Sequence, residues 1–288
     1  MHVEECCQVL LAHFLPLVDR SRQGTCIDIG VGTFALYCEL FARLGYNTVA
    51  IEPLPTEHLK SVCQQNKIRL IEACITGQDG ISTLYIGQFQ GDENQNLSSI
   101  LPDWWGVSSK QISVKTMTLS TMLMEFSAKK ITCLKLDVEG AEMLIIPQLL
   151  LLSQQCLPDV IMFEYGGGCT RQEGGGGWSP RYLGATMNCL SDLKRLGYQY
   201  AIVVDSGEGT KERVVNLATS SMEMDEYFGK DFIYGNIIIF RDFVPEIPSI
   251  EKICALFRDM SLPAPTVPLP KSGRVWNLLR RLFLPLNR

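Results

Sequence analysis

Apolar positions along the chain recur with two periods. Over residues 3–20, Val3, Cys6, Cys7, Leu10, Phe14, Leu17 and Val18 fall three or four apart, the spacing of one helix face. Beyond residue 24, short apolar runs alternate with helical stretches. The runs Thr25–Ile29, Thr48–Ile51, Arg69–Ile75, Ile131–Leu136, Asp159–Phe163, Gln199–Val204 and Tyr234–Phe240 predict strands. The stretches Thr33–Leu44, Pro55–Asn66, Thr118–Phe126, Ala141–Leu152 and Tyr182–Leu196 predict helices, with Gly45 ending the first of them. Residues 81–86 and 111–116 read as extra strands. They flank a polar stretch with Asn94, Asn96, Ser98, Ser99, Trp104 and Trp105. Continuous apolar strands separated by helices imply a mostly parallel sheet covered on both faces. No internal repeat is present.

Two segments punctuate this pattern. Gly166–Gly177 holds seven glycines, too many for regular structure. Beside an active site such a loop can close over a substrate. Residues 261–273 are rich in proline and read as a linker. After it, Val275, Leu278, Leu279, Leu282, Phe283 and Leu286 form one apolar stripe, among Lys271, Arg274, Arg280, Arg281 and Arg288. A basic amphipathic tail with Trp276 suits a membrane interface, contacted through residues 274–286, or a partner's groove; docking on its own domain or on a second copy is the competing reading.

Composition narrows the classes. A net charge of −5 argues against general nucleic-acid affinity, which needs a basic face. The 11 cysteines include no CxxC pair, and several, such as Cys26, Cys133 and Cys156, lie inside apolar runs. They read as reduced cysteines of a cytoplasmic protein. The histidines are His2, His13 and His58, and none stands near a cysteine pair at ligand spacing, so no metal is expected. Glu4 and Glu5 stand where a secretory signal needs positive charge. No apolar run reaches the ~20 residues of a membrane span.

The candidate chemistry sits at strand ends. The first strand runs into Asp28-Ile29-Gly30-Val31-Gly32-Thr33, where Gly30 permits a tight turn, Gly32 lets backbone approach a ligand and Thr33 is a fair N-cap. About 20 residues on, Glu52 ends the second strand, where a carboxylate accepts the hydroxyls of a ribose. Gly30-x-Gly32-x-x-Ala35 also fits a dinucleotide fingerprint, so NAD is the competing ligand. Two features favour S-adenosylmethionine. Asp28 would repel a pyrophosphate and attract the ammonium of a methionine moiety. Phe34 is bulky where a pyrophosphate needs clear amides. A non-catalytic cofactor-binding module of the same fold is the third reading.

A second constellation closes the strand Ile131–Leu136: Lys135-Leu136-Asp137-Val138-Glu139-Gly140-Ala141-Glu142. Ligands of open α/β sheets bind outside the carboxyl ends of the strands, which puts Asp137 and Glu139 beside the cofactor. Glu142 falls in a first helical turn, where it complements the dipole. The next strand ends at Glu164 and faces the same rim. No histidine is placed to act as a base, so a carboxylate must: Asp137 first, then Glu164, with Glu139 nearby to raise their pKa values. Trp104 and Trp105 either offer aromatic faces to a sugar acceptor or pack a surface loop.

The three motifs Asp28-Ile-Gly-Val-Gly, Ile51-Glu52-Pro53 and Lys135-Leu-Asp-Val-Glu-Gly-Ala-Glu142, in this order and spacing, resemble the FkbM-type methyltransferases over residues 25–165. The resemblance implies a Rossmann-like α/β fold, a seven-stranded sheet with an antiparallel final strand, and S-adenosylmethionine as methyl donor. It further implies O-methylation of a hydroxyl on a sugar or natural product. By that similarity Asp28, Gly30, Gly32, Glu52 and Pro53 hold the cofactor, and Ala73 and Cys74 lie near the adenine. The family pattern is Asp-x-Gly-Ala-Asn-x-Gly. Here Val31 and Thr33 stand in for the alanine and asparagine, and Phe34-Ala35 replaces the following glycine, so the asparagine amide is lost. The chain accordingly divides into a helix over 1–24, a methyltransferase domain over 25–245, a helix and linker over 246–270, and the basic tail over 271–288.

Overall fold

The computed structural model describes residues 1–126 and 130–258. In chain order its elements are α1 (Val3–Val18), β1 (Thr25–Ile29), α2 (Leu36–Arg43), β2 (Asn47–Ile51), α3 (Glu57–Asn66), β3 (Arg69–Ile71), β4 (Cys74–Ile75), β5 (Gly80–Phe89), β6 (Asp92–Glu93), β7 (Val107–Met117) and α4 (Leu119–Phe126). Then follow β8 (Ile131–Leu136), α5 (Glu142–Ile145), β9 (Val160–Gly166), α6 (Pro180–Arg195), β10 (Tyr200–Asp205), β11 (Arg213–Asn216), α7 (Met224–Tyr227), β12 (Tyr234–Phe240) and α8 (Ile247–Ala255). The linker and basic tail expected over 261–288 lie outside the described residues.

The main sheet has eight strands in the order β11-β10-β12-β9-β8-β1-β2-β3. Strands β3, β2, β1, β8 and β9 are parallel neighbours. β12 runs antiparallel between β9 and β10, so the final strand has the expected direction. The expected seven strands become eight because β11 adds an antiparallel edge to β10. Its stretch, Arg213–Asn216, is too short and too mixed to show a period.

Successive strand residues point to opposite faces, and both faces are apolar. Ile27, Ile29, Leu134, Leu136, Ile161 and Phe163 face the α5–α6 side, against Ile145, Leu149 and Leu190. Cys26, Cys133, Val160, Met162 and Ile238 face the other side, where α1, α2 and α8 cover them. Helix α1 buries Cys6, Leu10, Leu11, Phe14 and Leu15 completely, so it is one wall of the core. All 11 cysteines are free.

Three expected elements change shape. The strand expected over 69–75 breaks into β3 and β4, which belong to different sheets. The helix expected from Ala141 keeps one α turn and continues as a 3-10 helix over Ile146–Leu151, because Pro147 cannot donate to the ladder. The helix expected from Thr33 starts at Leu36, since Ala35 is left-handed with φ 56°. The extra strands become a hairpin, β5 against β7, in a second four-stranded sheet, β4-β7-β5-β6. The polar connection of that hairpin, residues 94–106, folds back over the main sheet as an arm.

Asp19 ties α1 to the sheet. Its carboxylate accepts from Ser21 Oγ (2.6 Å), the Gly24 amide (3.0 Å) and Thr132 Oγ1 (2.8 Å). Burial alone would raise its pKa, but these donors and Lys130 outweigh it and hold the carboxyl at about 2. A depressed pKa stabilises the fold above the ordinary value of 3.8, and the gain is lost as pH falls towards 2. Asp19→Asn is therefore expected to cost about 2 kcal/mol at pH 7 in urea unfolding, and progressively less between pH 4 and pH 2. A penalty independent of pH would show that the carboxylate charge does not tie α1 down.

Candidate functional site

A cleft of about 1190 Å³, solvent mouth included, opens at the carboxyl ends of β1, β2, β8 and β9. This is where an open α/β sheet places its ligand. The turn after β1, the ends of β2 and β4, the turn after β8, Glu164 of β9 and Glu4 of α1 form its walls; residues 95–98 and Ile100 of the arm form its roof. Of the residues expected to hold a cofactor, Gly30, Gly32, Glu52, Pro53, Ala73 and Cys74 line it.

Asp28 does not, although the sequence pointed it at a ligand's ammonium. It lies beneath the turn, 1% exposed. One oxygen is 3.0 Å from Lys135 Nζ, and the other accepts from the Cys38 amide of α2. Lys135 is 2% exposed. Its ammonium also donates to the Gly30 carbonyl (3.0 Å) and approaches Asp137 Oδ2 at 3.3 Å. Burial works against this charge, but Asp137, Asp28 and Glu4 overcome it and hold the ammonium's pKa above its ordinary value. The lysine interrupts an apolar strand, a visible signal, yet the sequence reading passed over it for the acids beside it.

The turn itself is tightly built. Gly30 has φ 75°, and a Cβ there would lie 1.7 Å from the Asp137 carbonyl oxygen. No other residue admits the exit of β8 so close. Glu52 accepts from the Gly32 amide (2.9 Å) with one oxygen and the Leu54 amide (3.0 Å) with the other. Burial raises its pKa, and these two amides oppose the rise. The Thr33 amide and hydroxyl both donate to Asn96 Oδ1, at 2.9 and 3.1 Å. Thr33 therefore caps no helix. Counted residue by residue from Asp28, the asparagine of the family pattern falls at Gly32, and its last glycine at Phe34, which is 53% exposed at the cleft.

Glu139 stands on a left-handed backbone, φ 53°, followed by Gly140 at φ 86°. A non-glycine residue there costs free energy that its surroundings must return. The arm supplies this: Ser99 Oγ donates to the Glu139 carbonyl (2.7 Å) and Trp104 Nε1 to its carboxylate (2.8 Å). One oxygen from each of Asp137, Glu139 and Glu164 lies within 4.8 Å of the others, a spacing a single cation could also share. Burial and then the Asp137 charge push the Glu139 carboxyl well up; burial and then Glu139 do the same for Glu164. Glu142, buried, accepts from the Val138 amide, and burial carries its carboxyl to about 7.

Glu4 also faces the cleft, and the sequence reading missed it. Its oxygens accept from Tyr37 Oη (2.7 Å) and Asn236 Nδ2 (3.1 Å). Asn236 is the one polar residue inside the apolar run of β12, and that interruption was the available signal.

Of the two readings of the tryptophans, packing holds, and neither ring forms a sugar platform. Trp104 is 6% exposed and meets Tyr182 edge-on at 4.8 Å. Trp105 lies under the glycine-rich loop, where a Cβ on Gly167 would come within 2.9 Å of its Nε1. That loop is pinned to the segment before β12: the Gly167 amide and Trp178 Nε1 donate to the Ile233 carbonyl, and the Arg171 amide to Phe232.

A family model described as "Methyltransferase FkbM domain" matches residues 24–200. No curated protein sequence matches the chain. Among solved structures, the precorrin-6y C5,15-methyltransferase of Geobacter metallireducens GS-15 is similar at 12% identity and a TM-score of 0.36, over 80% of this chain and 87% of that one. No helix among the described residues is long and apolar enough to cross a membrane.

Removing the buried ammonium should expose its role. Lys135→Met leaves Asp28 buried and unpaired and is expected to cost about 3–5 kcal/mol in urea unfolding. Adding Asp28→Asn to that variant should return a large part of the loss. A loss below about 1 kcal/mol for Lys135→Met would mean that the pair does not hold the turn.

Proposed function

The chain belongs to the FkbM methyltransferase family, and we propose that it is an S-adenosylmethionine-dependent O-methyltransferase acting on a hydroxyl of a sugar or natural product. The observation that carries this reading is the composition of one cleft. Glu52, Asp137, Glu139, Glu164 and Glu4 all line it, and its one lysine is already paired. Such a lining favours a cationic ligand and opposes a pyrophosphate. The amides a pyrophosphate would need are also spent, Gly32's on Glu52 and Thr33's on Asn96. This weighs against NAD.

S-adenosylmethionine, when bound, supplies a methyl group activated on a sulfonium. The residues present fit it. Glu52 retains acceptor capacity for ribose hydroxyls after its two backbone contacts. Ala73, Cys74, Ile75 and Leu84 give an apolar wall suited to an adenine. With a good leaving group already provided, the protein's work is alignment and proton removal. Asp137, beside Lys135, aligns the acceptor hydroxyl and takes its proton. Glu164 and Glu139, whose carboxyls burial and neighbouring acids push well up, are the next bases in reach. The acidic rim leaves hydrogen-bond acceptors free for a polyol, as sugar hydroxyls require.

Two variants test the assignment together. Glu52→Ala should weaken S-adenosylmethionine binding by roughly 1.5–3 kcal/mol in titration calorimetry, the worth of charge-assisted hydrogen bonds. Asp137→Asn should keep cofactor affinity but lower turnover by roughly 10²–10⁴-fold on a hydroxyl acceptor, followed as S-adenosylhomocysteine released. Unchanged affinity removes Glu52 from the cofactor site. A folded Asp137→Asn protein with normal turnover passes the role of base to Glu164.

A further inference from the structure

Gly32 is left-handed, φ 64°, and its missing side chain leaves a space that is filled. A Cβ built at this position would lie 2.7 Å from Asn96 Oδ1 and 3.5 Å from Asn96 Cγ. The amide of Asn96 thus occupies the volume that a side chain at position 32 would claim. It also accepts both donors of the next residue, the Thr33 amide and hydroxyl. This position is the one at which the motif of the family carries an asparagine and this chain does not.

Asn96 comes from the arm, 64 residues further along, and the arm presents it in a fixed pose. The Asn96 amide donates to Asn94 Oδ1 (3.1 Å), and the Asn94 amide to the Gly87 carbonyl (2.9 Å). The Gly87 amide donates in turn to Ser98 Oγ (3.0 Å). Gly87 has no room for a side chain either: a Cβ there would meet the Asn94 carbonyl at 2.3 Å. β5 and the arm are therefore in direct contact behind Asn96.

We propose that Asn96 is a positioning residue of the donor site, supplying from the arm the side-chain amide that the turn after β1 lacks. It holds the Thr33 amide on one side, and the neighbouring Gly32 amide is then aimed at Glu52. Asn96 acts on the cofactor through Glu52 and the turn. Glycine at position 32 is required because Asn96 needs the space.

The proposal rests on the donor reading for its binding measurement alone. Its test moves the amide back into the turn. Three proteins are compared with the wild type: Asn96→Gly, Gly32→Asn, and both together. Asparagine suits position 32 because it tolerates a left-handed backbone better than most residues. Two readouts are taken: hydrogen exchange of the Thr33 amide in the ligand-free chain, and S-adenosylhomocysteine affinity by calorimetry.

Asn96→Gly should expose the Thr33 amide to exchange and weaken S-adenosylhomocysteine by about tenfold, the worth of two neutral hydrogen bonds. Gly32→Asn alone should do comparable harm, since two side chains then compete for one space. The double variant should recover protection, and affinity to within about threefold of wild type. Wild-type exchange and affinity in Asn96→Gly would overturn the proposal, as would a double variant no better than the worse single one. Should the wild type bind no S-adenosylhomocysteine, the donor reading fails, and the exchange cycle still decides the role of Asn96.

Discussion

The site depends on one buried ammonium. Lys135 sits inside the sheet with Asp28 on one side, Asp137 on the other and the Gly30 carbonyl above it. A lysine with 2% exposure keeps its charge only because these acids surround it. The same contacts fix the glycine turn after β1 and the first residue of the acidic rim. A single group thereby ties the two together.

The arm does the complementary work from outside the sheet. It reaches the glycine turn through Asn96 and the rim through Ser99 and Trp104. Glu139 could not keep its left-handed backbone without such support. Glycine turn and rim are thus braced twice, by Lys135 and by the arm.

The parts of this arrangement that follow from local sequence were legible. Strand ends, the glycine turn, Glu52 and the Lys135–Glu142 run lie in contiguous motifs with a known place in an α/β sheet. What was not legible comes from contacts between segments far apart in sequence. Asp28 looked like a ligand residue because its partner, Lys135, is 107 residues away. Asn96 and Trp104 sat in a polar stretch with no period, and only the folded hairpin shows that one caps the glycine turn and the other holds Glu139. Glu4 carries no signal beyond a helix N-terminus until β12 brings Asn236 to it. Pro147 did announce its effect, and the expected long helix overlooked it.

Under the proposed function this cleft takes a cationic sulfonium nucleoside and refuses a pyrophosphate. The decisive measurement is calorimetric titration of the full chain with S-adenosylmethionine, S-adenosylhomocysteine and NAD. Saturable 1:1 binding of the first two, with no heat of binding from NAD, is expected. Binding of NAD with no response to S-adenosylmethionine would refute that reading of the cleft.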